Sequence, residues 1–255
     1  MHPPHLREQA VAWHAVGVPF REICDRLGVP RSTICHWLYG ERARRYREGG
    51  DSRSKEGSRC PVCIGSPERV ATAHYAYLLG MYLGDGHLVT SARVPVLRIY
   101  CTDTYVNIIE ECERAMRATL AKSVQQVQKK GCVGVQAYSM HWPCLFPQHG
   151  PGKKHERNIV LADWQQRIVD AVPEPFLRGL FHSDGCRVVN QVTTGGRRYS
   201  YPRYFFSNES EDILKLCAAG LDRVGAEWRR NRTNSLSVAR RDSVALLDSF
   251  IGPKD

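Results

Sequence analysis

Two Asp-Gly pairs, Asp85-Gly86 and Asp184-Gly185, each close an apolar stretch of helix-forming residues, and they stand 99 residues apart. The first stretch carries small residues at Gly80 and Gly84, the second at Gly179 and Ser183, in both cases four positions apart. Positions i and i+4 share a helix face, and small side chains there let two backbones approach closely. Gly inside a helix costs about 1 kcal/mol against Ala, so two such faces in one chain are expected to pack on each other. That packing brings Asp85 and Asp184 together at two helix C-termini, where partial negative charge and like-charge repulsion both oppose ionisation. A shared divalent cation, Mg²⁺ or Mn²⁺, resolves the conflict, because it takes carboxylate and water oxygens and leaves room for phosphate. The plainer use of Asp-Gly is to stop a helix. Its recurrence in phase favours the metal site.

The elements around each helix also recur. After the first come a strand-like run (Val94 to Thr102) and a helix from Asp103 with Ile108, Ile109, Cys112, Met116 and Leu120 on one face. Two strands follow, Ser123 to Gln128 and Val133 to Ser139, then a short helix ending near Gly152-Lys153-Lys154. After the second come a strand (Tyr201 to Ser207), a helix bearing Ile213, Leu214, Cys217, Leu221 and Val224, a strand pair, and a helix ending Gly252-Pro253-Lys254. Lys154 and Lys254 are 100 residues apart, close to the Asp offset, so both ends of the unit repeat. Each unit reads αββαββα, an α+β arrangement with pseudo-two-fold symmetry, over residues 74–171 and 172–255.

Residues 1–40 read as a small all-α module. Phe20, Ile23, Cys24 and Leu27 recur at helical spacing, Gly28-Val29-Pro30 breaks the helix, and Ser32, Ile34, Trp37 and Leu38 build another. Helix, tight Gly turn, helix is a helix-turn-helix, and this stretch resembles the DNA-binding heads of resolvases. The resemblance places the helix from Arg31 in the major groove, with Arg31, Ser32, Thr33 and His36 reaching bases or phosphates. Residues 41–73 read as a basic flexible linker, since Arg42, Arg44, Arg45 and Arg47 are followed by Gly- and Ser-rich sequence with little to bury. Within it, Cys60 and Cys63 form half of a zinc site; His74 or the Cys35-His36 pair would serve as further ligands if the fold brought them near. The default reading of these thiols is reduced and incidental.

The duplicated helices resemble the signature helices of the LAGLIDADG homing endonucleases, in the form where one chain holds both copies. The resemblance covers about the last 180 residues. It implies two β-sheet saddles laid along DNA, with Asp85 and Asp184 holding divalent metal at paired cleavage sites. An earlier acidic position of the motif is Leu83 here in one copy and His182 in the other. The resemblance also implies a basic side chain near each scissile phosphate, Lys154 (with Lys153 its rival) and Lys254, and a polar residue ending the second strand, Thr102 and Asn208. Capping of the following helix is at least as good a reading of those last two. Period-two alternation then points Arg98, Tyr100, Gln126, Gln128, Gln136 and Tyr138 at DNA from the first half. From the second it points Arg203, Arg230, Arg232, Ser235 and Ser237, with Arg197 and Arg198 in a loop. A register slip of one residue would invert these sets.

Composition agrees with a nucleic-acid partner: 36 Lys and Arg stand against 26 Asp and Glu, a formal charge of +10 over 255 residues. No apolar run approaches a membrane span and no secretory signal opens the chain, so a cytoplasmic, nucleoid-associated monomer on double-stranded DNA is expected. The expected activity is metal-dependent cleavage of both strands of a long site. The alternative is a non-cleaving transcriptional regulator, as in sporulation regulators that join a similar fold to a helix-turn-helix in reverse order. An intein endonuclease is excluded by the missing splicing residues, and a resolvase would rest on the head alone.

Overall fold

In the computed structural model, which describes residues 3–35, 37–38 and 60–254, the chain forms two units, Met1–Ser58 and Arg59–Asp255. In the first, Pro3 and Pro19 precede helices α1 (Pro4–Ala15) and α2 (Phe20–Leu27). Gly28 ends α2 with φ +60°, a backbone that favours Gly, and α3 follows over residues 31–35 and 37–38. Ala10, Ile23, Cys24, Val29 and Ile34 form the buried centre, with Trp13, Phe20 and Leu27 packed around it. This is the helix-turn-helix geometry expected from the spacing.

The second unit runs α4 (Thr72–Leu83), β1 (Gly86–Val89), β2 (Val96–Thr102), α5 (Val106–Thr119), β3 (Gln125–Lys129), β4 (Cys132–Tyr138) and α6 (Trp142–Leu145). After α7 (Asp163–Ala171) the pattern repeats as α8 (Pro173–Asp184), β5 (Gly185–Thr194), β6 (Arg197–Ser207), α9 (Glu211–Arg223), β7 (Arg229–Arg232), β8 (Ser235–Val238) and α10 (Arg241–Phe250). Both sheets are antiparallel and have the same order, β1-β2-β4-β3 and β5-β6-β8-β7. The duplicated αββαββα expectation is met.

Helices α4 and α8 pack through their small residues. A Cβ on Gly80 would lie 2.7 Å from Leu180 N and against the Phe176 carbonyl; one on Gly179 would meet the Tyr77 carbonyl and lie 3.0 Å from Met81 N. Backbone therefore touches backbone, as the four-residue spacing requires. Every residue of α4 from Tyr75 to Leu83 is buried. Gln165 of α7 fixes its start, donating to the Tyr75 hydroxyl at 2.6 Å.

Two expectations need correction. The linker, expected over 41–73, lies outside the described residues up to position 59, but from Cys60 the chain belongs to the second unit. Cys60 and Val70 are buried, residues 61–65 turn, and Pro67–Arg69 forms a 3₁₀ turn into α4. Apolar Val62 and Val70 reach the main core, which a composition-based reading of the Gly/Ser stretch overlooks. Arg197 and Arg198 are not in a loop; they begin β6, after a Gly195-Gly196 turn in which both residues have positive φ.

Candidate active site

The α4 and α8 ends deliver the two aspartates to one place. A Cβ on Gly84 would lie 2.5 Å from Ser183 Cβ and 2.9 Å from Asp184 Oδ2, so the close approach of the two helices runs to the residues beside Asp85 and Asp184. Asp85 is solvent-exposed and Asp184 half-buried, yet both are held above the usual carboxylate range. For Asp85 the protein around it is the first cause and the Asp184 charge the second, raising its pKa to about 6. Asp184 is raised by burial and partly relieved by Asn208, whose side-chain amide donates to Oδ2 at 2.6 Å. The same Asn208 accepts from Ser210 N at 2.8 Å, so it serves both the carboxylate and the turn into α9. Its expected counterpart Thr102 is exposed at the end of β2.

Two lysines sit on the helix ends. Lys154 Nζ donates to the Tyr82 and Gly84 carbonyls, each at 2.6 Å. Lys254 Nζ donates to Ser183 O at 3.1 Å and Gly185 O at 2.5 Å. These cations stand where a helix C-terminus is most negative. Burial lowers the Lys154 pKa to about 8 while Asp184 and Asp85 pull it back up; Lys254 is lowered for the same first reason. Lys153 reaches instead toward Glu156, 3.6 Å away and exposed, which separates it from its neighbour. Lys254 is placed by the segment before it. Buried His182 bonds Ile251 O through Nε2 at 2.8 Å, so that nitrogen carries the proton, and Nδ1 accepts from the Tyr77 hydroxyl at 3.1 Å. Arg178, which donates to the Glu111 carboxylate through both Nε and Nη2, also holds Phe250 O at 2.7 Å. Sequence reasoning saw His182 only as a departure from an acidic position.

A cleft of about 580 Å³ opens beside this cluster, lined by Lys154, Asp184 and Asn208 together with His87, His149 and Arg157. Two neighbouring carboxyls that resist ionisation, one exposed and one half-buried, offer hard oxygen donors with solvent access and would suit a hard divalent cation.

On the sheets, Arg98, Tyr100, Gln136 and Tyr138 share one face of the first half, opposite the buried Leu97, Ile99, Val135 and Ala137. Gln126 and Gln128 do not join them. Gln125 is the partner of Gln136, and Gln126 turns to the helix side, donating to Glu113 of α5 at 3.0 Å. Gln125, Val127 and Lys129 take the expected positions, and Lys129 Nζ donates to the Tyr100 hydroxyl at 3.1 Å. The second half errs in the same way. Arg203, Arg232, Ser235 and Ser237 lie on the face opposite Tyr204, Phe206, Leu236 and Val238, but Arg203, Ser235 and Ser237 are buried there, Arg203 Nε donating to Ser237 Oγ at 2.6 Å, and Arg230 pairs with Leu236 and salt-bridges Glu211 of α9 at 2.6 Å. Arg229 replaces it, opposite Ser237, and an irregularity separates Arg230 from Arg232. Both edge strands are exposed throughout, so apolar alternation is weak there. The available signal was Val124, which packs against the core and puts Gln126 and Gln128 on its own face.

In the first unit Arg31 and Ser32 are exposed at the start of α3, Thr33 is half-buried, and His36 lies outside the described residues. The Arg31 guanidinium lies 5.6 Å from the Phe20 ring centre. Beside Cys60 and Cys63 stand His141 and Cys144, which sequence spacing did not suggest; of the partners it did suggest, His74 is exposed in the first turn of α4 and Cys35 belongs to the other unit.

Among known proteins, the pattern of a homeodomain-like domain matches residues 6–54. No curated protein matches the chain. Among solved structures, the homing endonuclease I-WcaI bound to its DNA recognition sequence is similar at TM-score 0.46 and 11% identity, over 75% of this chain and 88% of that one. I-DmoI in complex with DNA and Mn is similar at TM-score 0.44 and 13% identity, over 71% and 98%. The N-terminal LAGLIDADG domain of DUF199/WhiA is similar at TM-score 0.42 and 15% identity, over 71% and 83%. The chain is thus similar to structures of the type its paired helices led us to expect, and its chemistry rests on its own geometry. Among the described residues no helix is long and apolar enough to cross a membrane.

Proposed function

We propose that this chain is a site-specific DNA endonuclease that hydrolyses a phosphodiester in each strand of a long duplex site with the help of divalent metal. One observation carries the reading: two carboxylates and two lysines from a duplicated unit converge at the ends of two helices whose backbones touch. Asp85 and Asp184 would hold Mg²⁺ or Mn²⁺, which when bound supplies positive charge to the phosphate and eases deprotonation of attacking water. Lys154 has three N–H donors and spends two on carbonyls; the third is available to a phosphoryl oxygen, and Lys254 is arranged alike. With a pKa of about 8, Lys154 is mainly charged at neutral pH, which suits stabilising the extra negative charge of the transition state. Asn208 keeps the Asp184 carboxylate in one orientation.

The side chains on the outer sheet faces would read and hold the duplex, with Arg98 and Gln136 suited to base edges and Lys129, Arg229 and Arg232 to phosphate or guanine. The helix-turn-helix unit would add affinity by tethering a second DNA contact. The test is to select bound sites from random DNA, then incubate each with the purified chain and Mg²⁺ or Mn²⁺. Cutting is expected, and Asp85→Asn or Asp184→Asn should abolish it while leaving binding nearly intact. Tight binding with no cutting in either metal would sink the nuclease and leave the regulator.

A further inference from the structure

Cys60, Cys63, His141 and Cys144 each offer one ligand atom, and these four atoms all lie within 4.8 Å of one another. Cys63 Sγ is 3.3 Å from both His141 Nδ1 and Cys144 Sγ. We propose that these residues form a structural zinc site, separate from the aspartate cleft. A tetrahedral ion with bonds of about 2.0–2.3 Å places its ligand atoms roughly 3.3–3.8 Å apart, which is the scale of this cluster.

The local chain prepares both halves of the site. Around Cys60-Pro61-Val62-Cys63 the backbone reverses through Ile64 N to Cys60 O and Ser66 N to Pro61 O, and Gly65 at φ +74° completes the turn. Both thiols thereby leave on one side. His141 is the N-cap of α6, and Cys144 N donates to His141 O, so His141 and Cys144 share one face of a helical turn. The spacing is C-x₂-C with H-x₂-C, and the second pair stands 78 residues after Cys63. With four protein ligands the coordination is closed, which marks a structural rather than a catalytic ion.

A disulfide explains the group less well. No cysteine is joined in a disulfide, the 3.3 Å separation of Cys63 and Cys144 Sγ is well beyond a bond of about 2.05 Å, and a pair would leave a third thiol and the imidazole without a role. The zinc would tie the segment entering α4 to the turn that leaves β4, and so secure the first helix that carries an aspartate.

The full-length chain, purified without chelator, should contain about one zinc per molecule by elemental analysis. Replacement by Co²⁺ should give the absorption of a tetrahedral, thiolate-ligated ion. Cys63→Ser and Cys144→Ser should lose the metal, Cys144→His should restore it by supplying another ligand, and Cys35→Ser should keep it. Restoration by His separates a ligand role from mere packing. A chain that stays folded, takes up neither zinc nor cobalt and leaves all three thiols open to alkylation would overturn the site, as would a Cys60–Cys63 or Cys63–Cys144 disulfide found by mass spectrometry.

Discussion

The surroundings of Asp85 oppose its ionisation. In the folded chain its pKa rises from 3.8 to about 6, chiefly through desolvation and then through Asp184. The folded state therefore keeps a proton that the unfolded chain has released between those values. The stabilisation this proton gives is full below about pH 3.8 and is lost as pH rises through about 6. In metal-free protein, Asp85→Asn should raise the melting temperature at neutral pH by roughly 2–4 °C, about 1 kcal/mol once screening of the exposed carboxyl is counted, and should have little effect near about pH 4. Thermal unfolding with and without Mg²⁺ checks this; an equal gain at both pH values would assign the effect to packing. Asn208→Ala should slow cutting by roughly 10–100-fold while barely changing DNA affinity, as expected of a group that orients a ligand carboxylate. Both aspartates were legible because their type, position and phase repeat. The choice between Lys153 and Lys154 was not, since adjacent identical residues differ only in the direction the folded backbone gives them.

At the scale of elements, helix contact and strand register made different demands on the sequence. Gly80 and Gly179 announced a close crossing because nothing larger fits, and Gly179→Ala should destabilise the fold by about 1–3 kcal/mol in urea titration, despite Ala's better helix propensity. Strand faces were harder. One residue of register separates Gln125 from Gln126 and Arg229 from Arg230, and in each pair the second residue answers a helix carboxylate, Glu113 or Glu211. Exposed edge strands bury too little on either side for alternation to decide. Arg229→Ala should weaken DNA binding and lower its salt dependence by about one unit, whereas Arg230→Ala should change neither much. Titrations at several salt concentrations distinguish the two, and equal losses would mean that both strand faces meet the duplex.

At the scale of the whole molecule, the duplication was readable from two distant landmarks, the aspartates and the lysines, and the strand order confirms it. Of the proposed zinc group only Cys60 and Cys63 were readable. Its halves belong to a turn before the repeat and a short helix inside it, and only the folded chain puts His141 and Cys144 beside Cys60 and Cys63. In the full-length chain, Arg31→Ala with Ser32→Ala should reduce affinity for the selected site while leaving the cut positions unchanged, which gel-shift and end-mapping assays would read separately.

The duplication is also imperfect in one respect that matters for turnover. Lys154 bridges the carbonyls of Tyr82 and Gly84, whereas Lys254 bridges those of Ser183 and Gly185, and among the described residues a side-chain amide holds Asp184 but not Asp85. If the proposed nuclease reading holds, two centres so unequally furnished would not fire together. A supercoiled plasmid carrying the site would relax to an open circle before becoming linear, and the first nick would always fall on the same strand.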